Sequence, residues 1–202
     1  MKTGILGGTF DPVHLGHITI AEQVRDELDL DEVLLMPAGM PMSRPGAEVT
    51  SARQRLAMVE IAVENRPRLK ASAMEIERGG PTYTVDTLEE LRKSGNEDDE
   101  VFFVVGSDSL ELMGSWKEPE RIISLCTVVV VPRPGYRHSI SEMERIIPGL
   151  PEKIIDLKGP YLDISASQIR QRVKDGKPVG HLVPEGIEDY IKSHHLYRSG
   201  KA

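Results

Sequence analysis

The 202-residue sequence predicts an α/β fold, an open parallel sheet with helices on both faces, formed by one domain over residues 1–202. Two observations predict it. Short apolar runs alternate with helical patterns along the chain, the order that builds a sheet from βα units. Two of the runs, 101–105 and 127–131, are continuous and rich in Val and Phe, as strands are when both faces of a parallel sheet are covered.

The elements follow in order. Residues 2–6 read as the first strand and 15–28 as a helix by apolar spacing. Residues 32–36 form a second strand, ended by Pro37, and a loop rich in Pro and Gly follows (Pro37, Gly39, Pro41, Pro45, Gly46). Residues 51–64 are helical, with Leu56, Val59 and Val63 on one stripe and Thr50 or Ser51 as cap. A third strand is expected over 71–76, a helix over 85–93, and strands over 101–105 and 127–131. Helices are expected over 139–147 and 165–173, and 185–194 closes the chain as a small C-terminal helical region. The acidic patch Glu97-Asp98-Asp99-Glu100 reads as a solvated turn. This is a Rossmann-like order, and in such sheets ligands sit beyond the carboxyl ends of the strands, where the strand order reverses. Residues that carry chemistry should therefore follow strands directly.

Composition excludes several classes. Apolar residues at 39% and charged residues at 28% fit a globular chain rather than a disordered one. A formal net charge of -7 argues against sequence-independent nucleic-acid binding, which needs a broad cationic face. Phosphates, if handled, must be met by a local cluster of donors. The one cysteine, Cys126, lies in an apolar run and reads as a buried, inert thiol. No stretch approaches a membrane span, and the start of the chain breaks into glycines before a signal-peptide core forms. A cytoplasmic location without a membrane partner is the expectation; a homo-oligomer is compatible with the sequence.

The most specific stretch is Gly7-Gly8-Thr9-Phe10-Asp11-Pro12-Val13-His14-Leu15-Gly16-His17. Gly7 and Gly8 follow the first strand, where missing side chains let the backbone approach a ligand. His14 and His17 are three apart at the helix start, so both rings share one face of the first turn. Unpaired N–H groups of that turn point the same way. Together they make an anion site. Zinc is the other reading of two histidines, but no Cys or further His stands at useful spacing nearby. No metal site built from the protein is expected.

This run resembles the signature of the HxGH nucleotidyltransferase superfamily, the HxGH element being His14-Leu15-Gly16-His17. The resemblance implies that His14, His17 and the backbone of Gly7, Gly8, Thr9 and Phe10 hold a nucleoside triphosphate, and that the histidines stabilise the transition state at its α-phosphate. A P-loop is not indicated. Ile164-Ser165-Ala166-Ser167-Gln168-Ile169-Arg170 is, by itself, a helix capped by Ser165 with a solvated Arg170. Beside the first loop it resembles the superfamily's ISSTxIR motif, with Ala166 and Ser167 departing from it. That implies Ser165, Ser167 and Arg170 at the β- and γ-phosphates, where the planar Arg fork suits phosphate.

The middle of the chain narrows the acceptor. Gly80-Pro81-Thr82-Tyr83-Thr84-Val85-Asp86, then Val104-Val105-Gly106-Ser107-Asp108, then Trp116, then Arg133-Pro134-Gly135 resemble the bacterial nicotinate-nucleotide adenylyltransferases, and the likeness runs from Gly4 to Arg198. It implies ATP and nicotinate mononucleotide as substrates, deamido-NAD and pyrophosphate as products, and Mg²⁺ arriving with ATP. It implies Trp116 stacked on the nicotinate ring, Asp108 at the ribose side, amides at Thr84 and at Lys117 just after Trp116 on the carboxylate, and Arg133 close by. A core or lid position is the lesser reading of Trp116, and Asp108 can serve as an N-cap together with a ligand role. Such enzymes often carry a Pro-Pro-His-Lys-like run after the second strand; here it is Pro41-Met42-Ser43-Arg44, with only Arg44 basic. Two rivals stay open. One is adenylyl transfer to another phosphorylated acceptor, nicotinamide mononucleotide or phosphopantetheine. The other is an ATP-binding sensor without turnover.

Overall fold

A computed structural model of the chain describes residues 1–41, 49–96, 98–133, 135, 139–159 and 164–198. Six parallel strands form one sheet: β1 (Lys2–Gly8), β2 (Glu32–Pro37), β3 (Leu69–Ala71), β4 (Glu100–Gly106), β5 (Thr127–Val131) and β6 (Ile154–Asp156), in the spatial order β3-β2-β1-β4-β5-β6. The chain winds outward from β1 to β3, then returns to place β4 on the other side of β1. The order therefore reverses between β1 and β4, and the crevice at their carboxyl ends is the place for a ligand.

The continuous apolar strands are buried on both faces because successive side chains point oppositely. Phe102, Val104, Val129 and Val131 join one core cluster, and Val101, Phe103, Val105, Val128 and Val130 join the other. On the first face pack α1 (Leu15–Glu27) through Ile18, Ala21 and Val24, and α2 (Ala52–Val63) through Met58, Val59 and Ala62. That face also receives Ile169 of a later helix, Ala166–Lys174, and Ile187 and Ile191 of the last one, Ile187–Ser193. The second face is covered by α4 (Thr84–Ser94) and by the short helices α5 (Ser107–Leu112), α6 (Pro119–Leu125) and α7 (Ile140–Ile146). Ser51 caps α2, its hydroxyl oxygen accepting from Gln54 N–H at 3.3 Å. The helices Ala166–Lys174 and Ile187–Ser193 are α8 and α9.

The expected strand over 71–76 is wrong. The strand covers Leu69–Ala71, paired in register with Val33–Leu35, and Met74–Arg78 is a helix, α3. Ala, Met and Glu favour a helix, and the apolar residues Ala71, Ala73, Met74 and Ile76 keep no strict two-residue alternation. The stripe read on α2 is also displaced. Leu56 is only partly buried, whereas Arg55 is 1% exposed on the buried face beside Met58 and Val59. β6, with three residues, and α5 and α6, with six and seven, are too short to show a period. Cys126 is buried as expected, and burial pushes its thiol pKa up to about 12. Among the described residues no helix is long and apolar enough to cross a membrane.

Candidate active site

The site starts at the carboxyl end of β1. The last strand glycines, Gly7 and Gly8, lie against aromatic rings: a Cβ on Gly8 would stand 3.3 Å from Phe10, and one on Gly7 3.8 Å from Phe103. Phe10 turns the chain with a left-handed φ of 49° and buries its ring, which meets His17 edge-on at 4.8 Å. A bulky residue at that φ carries strain and persists only where its surroundings hold it.

His14 caps α1 in extended conformation, and His17 lies one turn in. Their rings stack at 3.6 Å between centroids. The N–H of His14 donates to Nδ1 of His17 at 3.2 Å. Burial, the neighbouring His14 and the charge of Arg133 hold His17 well below the usual histidine pKa. A neutral His17 whose Nδ1 accepts a hydrogen bond carries its proton on Nε2, so it presents an N–H donor. Burial, with Arg133 behind it, pushes His14 down to about 4, so that ring is neutral too. Among the described residues its buried Nδ1 has no hydrogen-bond partner, and such an atom asks for an account. Gly16 permits the stack: a Cβ there would stand 3.1 Å from His14 Nδ1 and 3.9 Å from Cβ of Ile164. The same glycine thus brings the start of α1 against the segment entering α8.

On α8, Ser165 is the cap. Its oxygen accepts from Gln168 N–H at 3.2 Å, and Gln168 Oε1 accepts from Ser165 N–H at 3.4 Å. Arg170 donates to the carbonyl of Asp11 at 2.7 Å and to the Ser167 hydroxyl oxygen at 3.3 Å. The two motifs, more than 150 residues apart in sequence, therefore meet. Both hydroxyls accept through oxygen and keep their protons to donate.

The second group gathers beyond β4 and β5. Asp108 Oδ1 lies 3.4 Å from Nε of Arg133, an ion pair whose alignment makes no hydrogen bond. The Ser107 hydroxyl accepts from Arg133 N–H at 2.9 Å and fixes that backbone. A Cβ on Gly106 would stand 2.5 Å from Asp108 Oδ1, so the strand must end in glycine for the carboxylate to lie there. The Arg133 charge acts on both histidines, and the Phe103 ring faces both Gly7 and Trp116, so the two groups border one another. Trp116 stands edge-on to Phe103 at 6.2 Å, the ring that also faces Gly7. Thr84 opens α4, and the preceding turn is tied to the loop after β2 by Met40 N–H donating to the Thr82 hydroxyl oxygen at 3.3 Å. Lys117 is spoken for: its amine lies 2.7 Å from Asp86 and 5.1 Å from the Tyr83 ring centroid. Arg44, Glu97 and Pro134 lie outside the described residues.

Three residues of this region were not anticipated. Arg55 donates to the carbonyls of Thr50 (2.9 Å), Thr9 (2.8 Å) and Ala38 (2.7 Å), pinning the first loop to the loop after β2. Its place on the same helical stripe as Met58 and Val59 was the available signal. Asp11, 4% exposed, accepts from the hydroxyl of Tyr197 at 2.7 Å and from Thr50 N–H at 3.3 Å. Nothing in the local sequence of Asp11 or Tyr197 announces a bond between them.

A parallel sheet with stacked histidines and an arginine at its switch point defines a nucleotidyl-transfer fold. The cytidylyltransferase-like family model matches residues 5–172, and the chain belongs to that family. It is 43% identical, over 98% of its own length and 97% of the relative's, to a protein of Dehalococcoides mccartyi strain 195 named "Probable nicotinate-nucleotide adenylyltransferase". A protein of Roseiflexus strain RS-1 with the same name is 43% identical over 96% of this chain and 97% of its own. Among solved structures, a Plasmodium falciparum nicotinic acid mononucleotide adenylyltransferase complexed with NaAD superposes with a TM-score of 0.80 over 97% of each chain, at 20% identity. That likeness is one of fold.

Proposed function

We propose that this chain transfers the adenylyl group of ATP to the 5′-phosphate of nicotinate mononucleotide, giving deamido-NAD and pyrophosphate. The observation that supports the reading is the stacked His14–His17 pair at the start of α1, with Arg170 bound to the Asp11 carbonyl of the loop before it, in a chain whose full-length relatives bear that enzyme's name.

A phosphate oxygen of the mononucleotide attacks the α-phosphorus. The bond from that phosphorus to the bridging oxygen breaks, and pyrophosphate leaves with the electron pair. The attacking phosphate has a second pKa of about 6, so it is ionised at neutral pH and needs no general base. The obstacle is repulsion between anions, and in-line positioning with fixed donors lowers it. His17 offers Nε2–H to the α-phosphate and His14 donates to the triphosphate. Arg170, with the hydroxyls of Ser165 and Ser167, takes the β/γ end, and the backbone of Gly7 to Phe10 lines the loop. Neutral histidines suit this task, because the donors are in place before charge develops.

Trp116 stacks on the nicotinate ring, a contact favourable for a flat cation. Asp108, with Arg133 beside it, faces the ribose. Backbone amides at the start of α4 (Thr84) and at Lys117 take the carboxylate; the Lys117 side chain, engaged by Asp86, is left out of this role. Among the described residues no three His, Cys, Asp or Glu side chains cluster as a metal cage. Mg²⁺ is therefore assigned to the phosphates of ATP, whose charge it offsets. A cytoplasmic place, where ATP is abundant, accords with this role.

Pyrophosphate release tests the acceptor. With ATP and Mg²⁺, nicotinate mononucleotide should outpace nicotinamide mononucleotide and phosphopantetheine by about tenfold or more in kcat/KM, since the amide lacks the charge that the Thr84 amides hold. Equal rates with acid and amide would sink the carboxylate assignment, and no release with any acceptor would favour an ATP-binding module.

A further inference from the structure

The arginine assigned to the β/γ-phosphates does not stand freely in solvent. Arg170 is fixed by the carbonyl oxygen of Asp11 at 2.7 Å, so the place of its guanidinium depends on the peptide of residue 11. That residue is gripped from two sides. The Tyr197 hydroxyl donates to one carboxylate oxygen at 2.7 Å, and Thr50 N–H donates to the other at 3.3 Å. Thr50 is in turn held by Arg55, whose Nε donates to its carbonyl at 2.9 Å.

Tyr197 lies just beyond α9, 186 residues from Asp11. The turn that delivers it is strained: both His195 (φ 54°) and Tyr197 (φ 59°) are left-handed. Non-glycine residues keep that conformation only where surrounding contacts over-determine it. Leu196 N–H donates to the Ile191 carbonyl at 3.0 Å, and Leu196 and Tyr197 pack against the core. Burial and the Asp11 charge push the Tyr197 hydroxyl pKa up, so it stays protonated and donates.

We infer that Tyr197 is a positioning residue for the triphosphate end of the site, setting Arg170 through the bond from its hydroxyl to Asp11. The inference rests on the adenylyl-transfer reading above. It makes the last turn of the chain part of the ATP half of the site and leaves the acceptor half, at Thr84, Asp108 and Trp116, outside its reach.

The test is Tyr197→Phe in the full-length chain, which removes one hydroxyl and keeps the ring, with Tyr190→Phe on α9 as control. Pyrophosphate release is followed with ATP and nicotinate mononucleotide varied in turn, and ATP binding is measured by calorimetry without acceptor. Tyr197→Phe should raise the KM and Kd for ATP about tenfold, the size expected for one hydrogen bond to a charged group, with the acceptor KM within about twofold of the parent. Tyr190→Phe should match the parent. Unchanged ATP constants in Tyr197→Phe, even with a lower melting temperature, would overturn the inference and leave Tyr197 a structural residue. ATP and acceptor constants rising together would overturn it too. If the parent binds ATP without releasing pyrophosphate, the enzymatic reading falls, and the calorimetric comparison still decides the role of Tyr197.

Discussion

In the proposed reaction one atom of His17 carries most of the chemistry. The His14 N–H on its Nδ1 sets the tautomer, and burial keeps the ring neutral, so Nε2 carries the proton and can donate. Replacing His17 with Ala should lower kcat by about a hundredfold or more while ATP binding weakens modestly, because such a donor acts mainly on transition-state charge. Steady-state rates with calorimetric ATP affinities check this, and near-normal turnover would remove His17 from the α-phosphate. His14 gives a pH prediction. In the fold it stays neutral down to about 4, against an ordinary value of 6.5. The unfolded chain therefore takes up the proton first. The contribution of His14 is complete above pH 6.5 and is lost as pH falls through the window toward 4, about 2 kcal/mol of it by pH 5. Urea unfolding at pH 7.5 and 5 should show the parent losing that much more stability than His14→Asn; parallel losses would contradict it. At this scale the motif residues could be read from the sequence because they sit close together on one turn. Arg55, Asp11 and Tyr197 could not, because their roles exist only between segments that fold brings together.

α1 and α8 work as a pair of helix starts, and Gly16 sets how closely they meet. Ala at this position should favour the helix by up to about 1 kcal/mol, yet its Cβ would press on the His14 ring from 3.1 Å. The ring must move by a few tenths of an ångström. Gly16→Ala should therefore melt at or above the parent temperature while kcat falls about tenfold, since a donor slightly out of place costs rate steeply. A fully active Gly16→Ala would mean that the stack tolerates more freedom than its contacts indicate. The long periodic helices and the two continuous strands could be placed from sequence because burial on one stripe, or on both faces, leaves a pattern. β6 and α6 were missed since three and seven residues repeat a pattern too few times to show it. The strand expected over 71–76 failed because that run has no strict two-residue alternation and its second half opens a short helix.

The whole molecule sets an acidic chain, net charge -7, around a candidate site to which we assign Arg133 and Arg170. In the proposed reading local donors, rather than a broad cationic surface, meet the phosphates, and the strand order reverses where they gather. The sheet, its two covered faces and the position of the phosphate loop followed from βα alternation. The proposed acceptor half required the full-length resemblance, because a carboxylate held by backbone amides, as proposed, would leave no side-chain signature. The central claim is that the α-phosphate moves intact onto the mononucleotide. Incubation with ATP labelled at the α-phosphate, Mg²⁺ and nicotinate mononucleotide tests it directly. The label should appear in a dinucleotide with the mass of deamido-NAD, in step with unlabelled pyrophosphate. Label recovered as free AMP, or left in ATP at every acceptor concentration, would contradict the account.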